Sequence, residues 1–278
     1  MHRSLSHFLY DAAAFWLVKQ LVGRSSRRGI FKTPLAVPVN DLIGQRIIGT
    51  GSFELTQFDA VDQLISDPRS LLNMQPDLAG AFVDVGANIG LYTTRYAPSF
   101  ERTFAIEANP ATFHILQANV AMARSPHVEA LCIGASNRTG SAEIHVAQNG
   151  MLGWSSLSAR DDLATYPVSI KLDLLDNILS GARPRIALMK IDIEGHELEA
   201  LEGSFGTIQK DGPIILFEAL SPDAAKASIN LLRRASYQRF YAFSRLRNFR
   251  SLVNGLPVTV AKIDPESPAG HALICAIP

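Results

Sequence analysis

The sequence predicts a doubly wound α/β protein built on a mostly parallel sheet, and three observations predict it. Continuous apolar runs occur at AFVDV (from Ala81), IALMKID (from Ile186) and GPIILFEA (from Gly212), as expected of strands covered on both faces. Helical segments separate such runs, notably Pro110 to about Met122 and Pro222 to Ala235. A glycine-rich turn, Asp84 to Gly90, follows the first run, where sheets of this kind bind their ligands.

Each element then follows in order. AFVDV is the first strand, and Ile89 to Tyr96 reads as a helix that stops before Pro98. TFAIE is the second strand; Pro110 opens the next helix, where a missing N–H costs nothing. VEALCIG is the third strand, and the turn Asn137 to Gly140 leads into the alternating strand SAEIHVA. Gln148 to Asp161 is polar and reads as a loop, followed by the strand VSIKL and a short helix, Leu174 to Leu179. IALMKID enters a turn at Glu194-Gly195 and a helix from about His196 to Glu202. After GPIILFEA and the helix beginning at Pro222, YQRFYAF and HALICAI close the chain. The stretch between those two, Ser244 to Gly270, is polar and carries Pro257, Pro265 and Pro268; it reads as a long loop that permits an antiparallel hairpin.

With 278 residues, 47% hydrophobic and 19% charged, the composition is that of a globular protein with a sizeable core. Its 26 basic and 26 acidic side chains create no net field toward nucleic acid, which is not favoured as a partner. Cys132 and Cys275 sit in apolar runs without metal-site spacing, so both read as buried core thiols in a reducing, cytoplasmic setting. Residues 1–75 read as an N-terminal extension and 76–278 as the main domain. In the extension, Leu5, Phe8, Leu9, Ala12, Phe15 and Trp16 recur at helical spacing before Lys19, Arg24, Arg27 and Arg28. The stretch is too short to span a bilayer, contains Asp11 and lacks a signal-peptide cleavage pattern. It is expected either to pack on the domain or to touch a membrane surface through residues 1–28.

The first turn discriminates between cofactors. Gly86 lets the chain leave the strand sharply, and Gly90 lets the following helix approach the sheet. A dinucleotide loop reads GxGxxG, with its middle glycine clearing room for pyrophosphate; here Asn88 stands at that place. Asp84 repels a pyrophosphate but suits a ligand with an amino group. S-adenosylmethionine has an amino group, a sulfonium and no phosphate, so the loop fits it better than a nicotinamide dinucleotide. Glu107 closes the second strand, 23 residues after Asp84, near the spacing at which an acid meets ribose hydroxyls.

The second turn, Lys190-Ile-Asp192-Ile-Glu194-Gly195-His196-Glu197, concentrates ionisable groups. If the strand persists, Lys190, Asp192 and Glu194 share one face, an arrangement that marks a cleft because charges are costly in a buried strand. Glu218 ends the next strand and points to the same cleft. The alternative is a lysine–acid ion pair with acids at a helix N-terminus. For transfer to a hydroxyl, Asp192, Glu194, Glu218 and His196 are candidate bases, with His196 the weakest; Lys190 could orient the acceptor. The carboxylates could instead hold Mg²⁺, although no metal is assigned.

Together FVDVGANIGLYT, EANP, ALMKIDIEGHELEALEG and IILFEAL resemble the FkbM family of methyltransferases over roughly Ala81 to Pro278, with KIDIEG the most specific block. The resemblance implies a Rossmann-like fold of seven strands, ordered 3-2-1-4-5-7-6 with strand 7 antiparallel. That order puts Cys132 and Cys275 too far apart for a disulfide. It further implies S-adenosylmethionine as cofactor, held by Asp84, Gly86, Asn88, Gly90 and Glu107, with Ser136 near the adenine. Asp192 and Glu194 would border the reaction centre, and the acceptor would be a hydroxyl of a sugar, glycolipid or natural product. Acceptor choice would reside in residues 1–75 or the Gln148–Asp161 loop. The competing readings are a nicotinamide-dependent oxidoreductase and a catalytically inert cofactor-binding module.

Overall fold

In a computed structural model of the chain, the described residues are Trp16, 34–51, 53–147, 165–181, 183–245, 258–268 and 271–278. The amphipathic segment expected near the N-terminus and the Gln148–Asp161 loop lie outside them, apart from Trp16. Among the described residues no helix is long and apolar enough to cross a membrane.

The main sheet holds β1 (Ala81–Val85), β2 (Arg102–Glu107), β3 (Val128–Cys132), β7 (Ile186–Ile191), β8 (Ile214–Ala219), β9 (Arg239–Arg245), β10 (Val258–Lys262) and β11 (His271–Ile277). Their order is β10-β9-β11-β8-β7-β1-β2-β3. β1 pairs in parallel with β2 and β7, β2 with β3, and β7 with β8, while β11 is antiparallel to both neighbours. This is the doubly wound arrangement expected, with a reversal of strand order beside β1 that opens the ligand crevice. The sheet has eight strands, not seven. Within the stretch read as a polar loop, β10 pairs antiparallel to the outer edge of β9. A short edge strand needs little apolar signal, because one side of it stays in solvent.

SAEIHVA and VSIKL do not join this sheet. They form β5 (Gly140–Ala147) and β6 (Thr165–Asp173), which pair antiparallel, with β4 (Gly134–Ala135) parallel to β6. This second sheet has its own small core of Ile144, Val146, Ile170 and Leu172.

Helices cover both faces of the main sheet. On one side lie α1 (Leu42–Thr50), α2 (Leu55–Ser66), α3 (Pro68–Leu72), α4 (Leu91–Tyr96) and α5 (Pro110–Met122). On the other are α6 (Leu175–Ile178), α7 (Glu197–Glu202), α8 (Phe205–Asp211) and α9 (Pro222–Arg234). Their ends are written in side chains. Asn109 Oδ1 accepts from the Ala111 amide ahead of Pro110, and Ser221 Oγ from the Ala224 amide ahead of Pro222. Asp41 caps α1, which Gly51 ends in the left-handed region at φ 76°.

Strand burial follows position. β1 and β7 are buried throughout, and the single partly exposed residue of β8 is Glu218. β3 sits at the edge, so Cys132 is exposed instead of buried, because one face and one side of its strand lack cover; Cys275 is buried. Five strand spacings of about 4.8 Å separate β3 from β11, so the two thiols cannot meet.

Residues 34–75 share the core of the sheet. Ile43, Ile47, Phe58, Val61 and Leu64 pack in one cluster with Phe82 of β1, Leu188 of β7 and Leu216 of β8. Fully burying a side chain such as Phe58 or Leu64 stabilises the fold by roughly 2–3 kcal/mol. Polar links reinforce the packing. Arg95 of α4 pairs with Asp62 of α2, and the Tyr96 hydroxyl donates to the Phe58 carbonyl at 3.1 Å. Buried Asn119 of α5 exchanges hydrogen bonds with the backbone of Ala36, accepting at 2.6 Å and donating at 3.0 Å, and donates to the Ile89 carbonyl at 2.7 Å.

Candidate active site

A cavity of about 260 Å³ opens at the carboxyl ends of β1, β2, β7 and β8. Gly86, Ala87 and Asn88 of the first turn, Glu107 to Asn109 after β2, Lys190 to Glu194 (except Ile191), His196 and Glu218 line it. The second sheet adds an apolar wall of Gly134, Ala135, Ile144, Ile170 and Leu172, and the N-terminal segment contributes Leu42, Ile43, Phe53 and Glu54.

The two turns touch. Gly86 has φ 76°, and a Cβ there would lie 1.9 Å from the Asp192 carbonyl oxygen. The glycine thus serves both as a left-handed turn and as the point where β7 closes on β1. Asn88 takes a left-handed φ of 51°, and its Oδ1 accepts from the Ile89 amide at 2.7 Å, so its side chain fills the place of a dinucleotide loop's middle glycine.

Glu107 stands in the cavity wall, held from two sides. Its Oε2 accepts from the Asn88 amide at 2.9 Å and its Oε1 from the Asn109 amide at 2.8 Å. A carboxylate accepts about four hydrogen bonds, so capacity remains for a ligand hydroxyl. Burial lifts its pKa from 4.5 to about 7, against the backbone hydrogen bonds that lower it.

Asp84 and Lys190 are register partners on adjacent parallel strands, so their side chains emerge side by side on one face. Asp84 is fully buried and lies outside the cavity wall. Its Oδ2 accepts from the Thr93 hydroxyl at 2.6 Å, while its Oδ1 has no hydrogen-bond partner. Burial raises its pKa, and the Lys190 cation lowers it. Lys190 is almost wholly buried, yet its pKa rises, since Asp192, Asp84 and Glu54 outweigh its desolvation. Its Nζ lies 2.9 Å from Asp192 Oδ2 and 4.4 Å above the Tyr92 ring.

The strand ends at Ile191, so Lys190, Asp192 and Glu194 do not alternate along one extended face. Glu194 turns away at φ 55° and reaches the same cavity from the turn. Glu218 is raised to about 8 by burial and by the negative charges of Asp192, Glu194 and Glu197. Glu197 is structural: its Oε1 accepts from the amides of Ile193 and Gly195 at 3.0 and 3.1 Å and shapes the turn. Asp192, Glu197 and Glu218 place one oxygen each within 4.8 Å of one another, but Glu197 is absent from the cavity wall and its Oε1 is taken by those amides.

His196 stands at the N-cap of α7, but its side chain makes no capping hydrogen bond. One ring nitrogen lies 3.0 Å from Ser136 Oγ, and burial lowers its pKa. Ser136 is buried beneath His196 and outside the cavity wall; Gly90 packs against Leu116 of α5, likewise outside it. The structure therefore brings Gly86, Asn88, Glu107, Lys190, Asp192, Glu194 and Glu218 to one cavity and sets Asp84, Gly90 and Ser136 behind it. Sequence reasoning missed Glu54 and Tyr92. Tyr92 is the second residue of α4, so its approach follows from that helix, but nothing local to Glu54 signals that it meets Tyr92 in the cavity wall.

The methyltransferase FkbM domain family matches residues 84–250. The chain belongs to the FkbM methyltransferase family. Among curated proteins the chain is similar to the hexuronic acid methyltransferase AglP of Haloferax volcanii, 29% identical over 133 residues, which is 48% of this chain and 53% of that protein. The chain thus spans about half the length of the curated relative it matches. Among solved structures it is similar to a methyltransferase FkbM from Methylobacillus flagellatus, at 16% identity and a TM-score of 0.45, over 93% of this chain and 57% of that one. It is also similar to a human methyltransferase 10 domain containing protein, at 9% identity and a TM-score of 0.47, over 94% and 97%.

Proposed function

We propose that the chain transfers a methyl group from S-adenosylmethionine to a hydroxyl of a sugar, glycolipid or natural-product acceptor. The observation that carries this reading is the cavity itself, in which Glu107 faces the first turn at one end and a cluster of carboxylates rings Lys190 at the other. It suits a ligand with ribose hydroxyls at one end and positive charge at the other.

The residues fit that cofactor. Glu107, oriented by two backbone amides, accepts from the ribose hydroxyls. The apolar wall of Ala135, Ile144, Ile170 and Leu172 suits a flat base. Gly86 and Asn88 would line the floor against such a ligand, and Asn88 stands where a dinucleotide loop has the glycine that clears room for pyrophosphate. Asp192, Glu194 and Glu218 favour a cation above them, while buried Asp84 lends its charge from behind. When bound, the cofactor supplies a methyl group on a positively charged sulfur. The carboxylates would hold that sulfur by charge, and Lys190, tied to Asp192, would keep their repulsion in check. The relative named for hexuronic acid supports a sugar acceptor.

Calorimetric titration with S-adenosylhomocysteine, followed by radiolabelled transfer from S-adenosylmethionine to a panel of glycosides, tests the reading. Micromolar binding and label in a glycoside are expected. Binding of NADH in place of S-adenosylhomocysteine would overturn it.

A further inference from the structure

Glu54 precedes the segment that matches the family, which begins at residue 84, yet it stands in the cavity wall. It sits between α1 and α2 with a left-handed φ of 47°, a conformation that a non-glycine residue keeps only when its surroundings impose it. The surroundings are firm: Phe58 and Leu64 of α2 are fully buried, and Asp62 is paired with Arg95.

The Tyr92 hydroxyl donates to Glu54 Oε2 at 3.1 Å. Among the described residues, Oε1 accepts no hydrogen bond. The charged and titratable groups facing Glu54 are Asp192, Lys190 and Glu194 of the β7 turn and Tyr92 of α4. The Tyr92 ring that carries this hydroxyl lies 4.4 Å from Lys190 Nζ, so Glu54 belongs to the Lys190 end of the cavity. Glu218, the other carboxyl at that end, already shares a hydrogen bond with Asp192.

We propose that Glu54 is the catalytic base, taking the proton of the acceptor hydroxyl as the methyl group passes to that oxygen. The inference rests on the methyl-transfer reading above. In the step, the acceptor O–H bond breaks and its proton goes to Glu54 Oε1. The oxygen–carbon bond forms while the carbon–sulfur bond breaks, its electron pair staying on sulfur. The sulfonium and carboxylate charges vanish together, leaving a methyl ether, a neutral thioether and a protonated Glu54. The Tyr92 hydroxyl holds the carboxylate in place. Burial and the neighbouring acids lift Glu54 to about 7, so it can both accept and release a proton near neutrality. The N-terminal segment therefore supplies a reacting group as well as a wall.

The test compares wild type with Glu54→Gln, Glu54→Asp and Glu218→Gln. Each is titrated with S-adenosylhomocysteine and assayed for radiolabelled transfer to p-nitrophenyl glucoside, mannoside, rhamnoside and glucuronide. For Glu54→Gln, binding within about twofold of wild type is expected, with kcat down by about 100-fold or more. The acceptor KM should change little, and the rise in kcat/KM near pH 7 should disappear. Glu54→Asp should recover part of the rate. A tenfold loss of S-adenosylhomocysteine affinity in Glu54→Gln would make Glu54 a cofactor ligand and overturn the proposal. So would retained kcat, or loss of the pH limb in Glu218→Gln alone. Wild type that binds S-adenosylhomocysteine but methylates no glycoside would overturn the hydroxyl-acceptor reading and this base with it. Wild type that binds none would overturn the cofactor site.

Discussion

The backbones of Gly86 and Asp192 meet where two parallel strands end, and a single added carbon on Gly86 would fall 1.9 Å from the Asp192 carbonyl oxygen. The same junction carries a hydrogen bond from the Asp192 amide to the Val85 carbonyl at 3.0 Å. The first glycine turn and the carboxylate turn are therefore one unit, set by backbone contact.

Gly86→Ala should cost about 3 kcal/mol or more, since the positive φ and the overlap with Asp192 act together. Gly195→Ala makes the control. Its φ is 99°, but the nearest neighbour of a new Cβ is a Leu220 methyl at 3.9 Å, so only the conformational cost of about 1–2 kcal/mol applies. Urea denaturation of the two variants measures the difference; equal losses would refute the contact.

Glu107→Ala should weaken S-adenosylhomocysteine binding by about 10- to 100-fold, the equivalent of hydrogen bonds to a charged group worth about 1.5–3 kcal/mol. Calorimetry reads this directly, and unchanged affinity would remove Glu107 from the ribose site.

Asn119→Ala should destabilise the protein by about 2–4 kcal/mol, because it strands the buried carbonyl of Ile89 and the half-buried amide of Ala36. A thermal melt should show a drop of roughly 5–10 °C. A shift within error would mean that residues 34–38 are not held through this side chain.

Stability should fall as pH rises from about 5 to 8. Glu54 and Glu107 are raised from 4.5 to about 7 and Glu218 to about 8, and Asp84 and Glu197 are raised as well. An acid with a raised pKa holds its proton longer when folded, so its contribution is full below its unfolded pKa and is lost as pH climbs through the folded one. For buried Glu107 alone the loss is about 3 kcal/mol by pH 8. His196, lowered by burial, acts in the opposite sense over the same window but is a single group. Thermal melts across this range check the sign; a rise in Tm toward pH 8 would contradict it. Bound cofactor, with its positive charge, should flatten the slope.

Much was legible in the chain itself. The apolar runs, the proline-opened helices and the glycine turn set the order of strands and helices, because each rests on local periodicity or on the backbone freedom of one residue. The acids at strand ends, Glu107, Asp192 and Glu218, were also readable, since a parallel sheet sends all such ends to one edge. Only tertiary packing decided the rest. It drew β5 and β6 into a second sheet, added β10 at the far edge and left Cys132 uncovered. It also placed Asp84 behind the cavity wall beside its register partner Lys190. Above all it brought Glu54 from the N-terminal segment to Tyr92, a meeting of residues 38 positions apart that depends on how α2 lies across the sheet. Side-chain periodicity reports which face of an element is buried, but not which distant element will cover it.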